Sequence, residues 1–154
     1  MDVNNLKLLV QKIVKQAAVL KDKHTSEKIA PVNYTCIFAQ SEAEYQELLT
    51  AAKQLGKVVQ EMPSGILFQI QPLETVAGKL QLLKIRVPDV TRPERGDADF
   101  TVSNYANFKA ANLSRPGFKL IPKEGFEMIE LMDEKFNVRV YFSHPPLDEQ
   151  FGLV

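Results

Sequence analysis

Two segments of this chain carry the same punctuation. GKVVQEMPSGILFQI, beginning at Gly56, lies against GFKLIPKEGFEMIEL, beginning at Gly117, with one gap. In each, a glycine opens a run of alternating apolar residues and a second glycine follows, nine residues on at Gly65 and eight on at Gly125. Glycine relieves the backbone at caps and tight turns. Its near-equal spacing between alternating runs predicts two copies of one strand–turn–strand unit.

The flanking sequence extends both copies. Residues 32–39 are β-branched and aromatic, a strand. Ser41 then opens a helix, with Glu44 completing a capping box, and Tyr45, Leu48, Leu49, Ala52 and Leu55 form its buried face. Gly56 stands where a left-handed C-terminal cap belongs. Strands follow at 57–62, 66–71 and 79–87, with 72–78 a turn. The second copy runs through a strand at 97–102, a helix capped by Ser103 or Asn104, and strands at 118–121, 126–132 and 138–142. The order β-α-β-β-β therefore occurs twice, as modules 32–88 and 96–143 of one domain spanning 29–154. The expected fold class is α+β, with a curved, mostly antiparallel sheet.

Residues 86–105 join the modules and concentrate charge, with Arg86, Asp89, Arg92, Glu94, Arg95, Asp97 and Asp99 in fourteen positions. A solvated crossover and a lid over a site both fit such a linker. Ahead of the modules, residues 1–28 hold an amphipathic helix and a polar linker. Val3, Leu6, Val10, Ile13, Ala17 and Leu20 fall on one stripe. The stripe suits docking on the helix's own domain or a homodimer seam. Residues 144–154 form an extension, started by two prolines, that is expected to pack over an edge.

Composition excludes several classes. Lys plus Arg and Asp plus Glu both total 19, so no bulk charge attracts nucleic acid or an anionic membrane. No run of 18 apolar residues spans a bilayer, and the N-terminus lacks the pattern of a secretory signal. With Cys36 the single cysteine, the expected location is cytoplasmic. Neither histidine, His24 or His144, sits near the other in sequence, and Gly-rich phosphate loops and G-x-S-x-G elbows are absent.

The element order, the Gly56 and Gly117 positions and the closing run MIELMDEKFNVRVYF resemble the vicinal oxygen chelate superfamily, the glyoxalase and bleomycin-resistance fold. The likeness covers about residues 32–143. It implies that the paired modules enclose a cup for a metal or a small molecule. The family's metal-ligand positions fall on Tyr34, Asp97 and near Lys84 and Val140. Of these only Asp97 is an ordinary ligand for a divalent ion, so the usual metal centre is not expected.

Strand alternation assigns the faces. It sends Tyr34, Cys36, Lys84, Arg86, Asp97, Asp99, Arg139 and Tyr141 to the cup, opposite Leu83, Ile85, Phe100, Val138, Val140 and Phe142. A candidate site then consists of Tyr34, Lys84, Arg86, Asp97, Asp99, Arg139 and Tyr141, with Arg86 and Arg139 clamping an anion. The bland reading pairs those arginines with Asp97, Asp99 or Glu127 and gives Asp97 to Arg95 or to a turn. Three functions remain open: a binder of a small anionic metabolite with cofactor unspecified, a divalent-metal enzyme using carboxylates, and an interaction module docking through the N-terminal helix and the Arg92–Arg95 loop.

Overall fold

The structure is a computed structural model that describes residues 1–153. Helix α1 (Val3–His24) leads into β1 (Val32–Phe38), α2 (Glu42–Leu55), β2 (Gly56–Met62), β3 (Gly65–Thr75) and β4 (Gly78–Arg86). The second module contains β5 (Gly96–Phe100), α3 (Tyr105–Asn112), β6 (Phe118–Lys123), β7 (Phe126–Leu131) and β8 (Val138–His144). A short helix, α4 (Leu147–Gln150), follows.

The fold is α+β, two βαβββ modules in one sheet, as the repeat predicts. Strand order is β2-β3-β4-β1-β5-β8-β7-β6. Within each module the first and last strands pair in parallel, Cys36 opposite Lys84 and Asp97 opposite Arg139. The modules meet through antiparallel β1 and β5, with Cys36 opposite Asp97. Gly96 permits that seam, because a Cβ there would collide with the Cys36 carbonyl.

One face of the sheet carries the core. Phe68, Leu83, Ile85, Ala98, Phe100, Ile129, Val140 and Phe142 pack there against the buried sides of the helices. Ser41 caps α2 by accepting from the Glu44 amide, while Glu44 accepts from the Gln40 amide rather than that of Ser41. Asn104 caps α3. That helix has 8 residues against 14 in α2, and α1 packs across β5, β8 and β1, covering sheet that α3 is too short to cover.

The apolar stripe of α1 is thus spent on its own domain: Leu6, Val10, Ile13, Val14, Ala17 and Leu20 are fully buried in the common core. The helix runs three residues past Lys21, whose ammonium is buried against the Glu27 carbonyl at 2.5 Å and the Phe100 ring. Lys23 and His24 both bond Asp133, tying the helix end to the β7–β8 turn.

Two turn assignments change. Gly56 has φ −164°, an extended conformation and not a left-handed cap. Its lack of a side chain serves β2–β3 pairing instead, since a Cβ would strike the Gln69 carbonyl. Residues 72–75, expected in a turn, continue β3. The register shifts between Gln69 and Leu73, and Pro72, which cannot donate to a ladder, sits in that irregularity. Among the described residues, no helix is long and apolar enough to cross a membrane.

Candidate functional site

The opposite face of the sheet curves around a cavity of about 550 Å³. Both sheet edges contribute, Gln60 and Met62 from β2 and Ile121 and Lys123 from β6. The central strands supply Tyr34, Lys84, Arg86, Asp97, Asp99 and Tyr141. Leu67, Phe126 and Met128 add apolar wall, Ser64 enters from the β2–β3 turn, and Arg92 from the linker. The last turn of chain covers the cavity with Leu147, Gln150 and Phe151, so the extension closes the cup instead of an edge.

Six of the seven residues chosen from alternation line this cavity, and the polar ones differ in how far the protein satisfies them. Lys84 Nζ donates to Ser64 Oγ at 2.6 Å. Arg92 lies over the Phe38 ring, 5.5 Å from its centroid, and reaches the Tyr141 hydroxyl at 3.4 Å. Asp99 accepts from Asn33 Nδ2 at 3.0 Å and the Ser143 amide at 3.1 Å, and from the Ser143 hydroxyl. Among the described residues, the buried atoms Arg86 Nε and Asp97 Oδ1 have no hydrogen-bond partner. Asp99 is thereby built into the protein's own network, whereas Arg86 and Asp97 present unused capacity.

Electrostatics follow from this crowding. Burial raises Asp97 to about 7, against the lowering effect of Arg92, Arg86 and Lys84 and with a further push from Asp99. Burial also lifts Asp99 to about 6, even though the Ser143 and Asn33 bonds favour its anion. The Lys84 ammonium is lowered, chiefly by burial. Tyr34 and the Cys36 thiol are both pushed up by burial. Cys36 is fully buried and bonds only weakly to the Ile37 carbonyl at 3.8 Å, so it behaves as a small hydrophobe.

Arg139 is the exception. It shares the cup face of β8 with Tyr141, but its Nε donates to Glu94 at 2.8 Å and its Nη2 to the Thr91 carbonyl at 2.9 Å. Glu130 stands 3.7 Å from its guanidinium and accepts from the Tyr141 hydroxyl at 2.7 Å. The arginine is structural, and the bland reading holds for it with different acids. Arg95 is likewise occupied by Glu44, at 2.7 and 3.0 Å, leaving Asp97 without the partner first assigned to it.

The linker is therefore neither a free crossover nor an open lid. It gives Glu94 to Arg139 and delivers Arg92 to the cavity. Sequence reasoning missed Arg92 as a site residue because no strand or helix period governs a linker side chain. The α4 side chains were missed for the same reason. His144 stays outside the cavity and stacks on Tyr105 at 4.5 Å.

The metal positions implied by the resemblance do not form a donor set. Val140 is in the core, and the cup-facing neighbours on β8 are Arg139 and Tyr141. Lys84 occupies the corresponding place on β4, and its ammonium would repel a divalent ion. No group of three or more His, Cys, Asp or Glu side chains is arranged to hold a metal among the described residues.

No family model matches the sequence, and no curated protein matches it. A solved structure does. Structural Genomics protein EC4020 superposes with a TM-score of 0.70 over 91% of this chain and 86% of its own, at 11% identity. At that identity the likeness speaks for the fold alone.

Proposed function

We propose that this chain is a small-molecule-binding protein of the glyoxalase-like, vicinal oxygen chelate type, whose cavity holds a small organic anion. The observation that carries the reading is the unpartnered Arg86 Nε, buried beside Lys84 and Arg92 in one cavity. Buried cations are costly unless paired, and the acid facing these three, Asp97, is pushed up to about 7 by burial, so at neutral pH it offsets their charge only in part. An anion entering the cavity supplies the missing acceptor. Arg86 binds it, Lys84 and Arg92 add charge, and Tyr34 and Tyr141 flank it. Asp97, in its protonated form, donates to an oxygen of the ligand.

Native mass spectrometry of freshly purified protein tests this directly. A small-molecule adduct that is lost on denaturation, and that is absent from an Arg86→Ala variant, is expected. An adduct retained by that variant would place the ligand elsewhere.

A further inference from the structure

The cavity is divided by chemistry, and the division specifies more than an anion. Its cationic end is built from Lys84 and Arg86 of β4 together with Arg92 of the linker, over the Asp97 and Asp99 floor of β5. The other end belongs to the second module's edge hairpin and to α4, where Ile121, Phe126, Met128, Leu147 and Phe151 outnumber the polar lining residues of those elements, Lys123 and Gln150. A free phosphate or a short acid would satisfy Arg86 and leave this apolar end wet. Burying it needs a ligand with an apolar body attached to its charged head.

The charge on the floor selects the head. Asp97 and Asp99 both border the cavity, and each contributes negative charge when ionised. They oppose a dianion more than a monoanion. A planar carboxylate also matches the guanidinium fork of Arg86. The walls select the body. Phe126 and Phe151 offer ring faces and edges, and Met128 offers a thioether, which makes favourable contacts with aromatic rings.

We propose that the ligand is an aromatic carboxylate, with its carboxylate on Arg86 and Arg92 and its ring between the Ile121–Met128 hairpin and Phe151. This rests on the anion reading above and adds its chemical class. The cavity's 550 Å³ accommodates a one- or two-ring acid.

Calorimetric titration of the full chain with five probes tests it: 3-phenylpropionate, its neutral amide, acetate, octanoate and inorganic phosphate. The expected order has 3-phenylpropionate binding at least about tenfold tighter than each of the other four. Arg86→Ala is expected to remove that advantage over the amide. Phe151→Ala, a change in the terminal turn, is expected to weaken 3-phenylpropionate and leave acetate unchanged.

Each contrary result separates the two readings. Acetate or phosphate binding as tightly as 3-phenylpropionate, with loss in Arg86→Ala, would overturn the aromatic class and keep the anion site. Octanoate binding as tightly would overturn the ring requirement alone. Amide and acid binding equally would overturn both readings. Absence of heat from 3-phenylpropionate at about 1 mM, with folding confirmed by circular dichroism, would overturn the aromatic-acid proposal.

Discussion

Arg139 and Glu94 meet across 45 residues of chain, Nε to Oε1 at 2.8 Å, both side chains nearly withdrawn from solvent at 11% and 14% exposure. This one contact explains why two arginines that look alike in sequence, Arg86 and Arg139, have different roles. The pair pins the linker to β8, and the linker then carries Arg92 into the cavity. Arg139→Met should leave Glu94 and Glu130 without their cation and destabilise the protein by about 1–3 kcal/mol in urea unfolding. A change within a few tenths of a kcal/mol would mean that the pair does not hold the linker.

The seam between modules makes a second prediction. Gly96→Ala places a methyl group against the Cys36 carbonyl on the neighbouring strand. The backbone has no rotamer with which to yield, so a loss of about 1–3 kcal/mol or more is expected. Gly125→Ala meets nothing within 4 Å, and its cost is confined to φ +83°, about 1 kcal/mol. Equal losses at the two positions would contradict close packing at the seam.

Stability should also respond to pH through the cavity floor. Asp97 sits at about 7 and Asp99 at about 6 in the folded chain, against an ordinary carboxylate value of about 4 in the unfolded one. Between pH ~4 and 7 the native state binds more protons than the unfolded state, so these groups' contribution falls as pH rises through that window. Asp97→Asn removes the larger share. Its gain in stability should be greater at pH 8 than at pH 5 by about 1–3 kcal/mol. Identical gains at both values would show that Asp97 is not buried as an acid.

The same ionisation bears on binding. Asp97 faces Lys84, Arg86, Arg92 and Asp99, and its negative form competes with an anion for the three cations. Affinity for a carboxylate ligand should fall by about three- to tenfold from pH 6 to 8, and Asp97→Asn should flatten the profile. A profile unchanged by that substitution would assign the titration to another group.

The alternation rule explains how much of this was legible beforehand. Period-two patterning put Tyr34, Lys84, Arg86, Asp97, Asp99 and Tyr141 on one face, and the paired glycines gave both modules. A slip of one residue reverses a strand's faces; alternation sets Val140 opposite the cup, and it packs in the core. Contacts between distant segments were not legible. Nothing local to Arg139 announces Glu94, and nothing in the terminal extension announces that Phe151 reaches the cavity. The linker and α4 take their positions from the surface they fold against, and that surface exists only once the modules have paired.

The cover formed by α4 gives a kinetic prediction. Its hydrogen bonds are local, such as Gln150 Nε2 to the Pro145 carbonyl at 2.7 Å, so apolar contact holds it over the cavity. Deleting residues 145–154 should expose Phe126 and Met128, increase binding of a fluorescent apolar dye, and speed ligand release. Unchanged dye fluorescence would mean that α4 does not cover the cavity.

The most direct test of the central claim is thermal unfolding of wild type and Arg86→Ala over a titration of 3-phenylpropionate. A ligand that binds only the native state raises Tm with concentration. A rising Tm in wild type and a flat one in Arg86→Ala is the expected result. Parallel rises in both proteins would contradict the claim that Arg86 anchors an anion in this cavity.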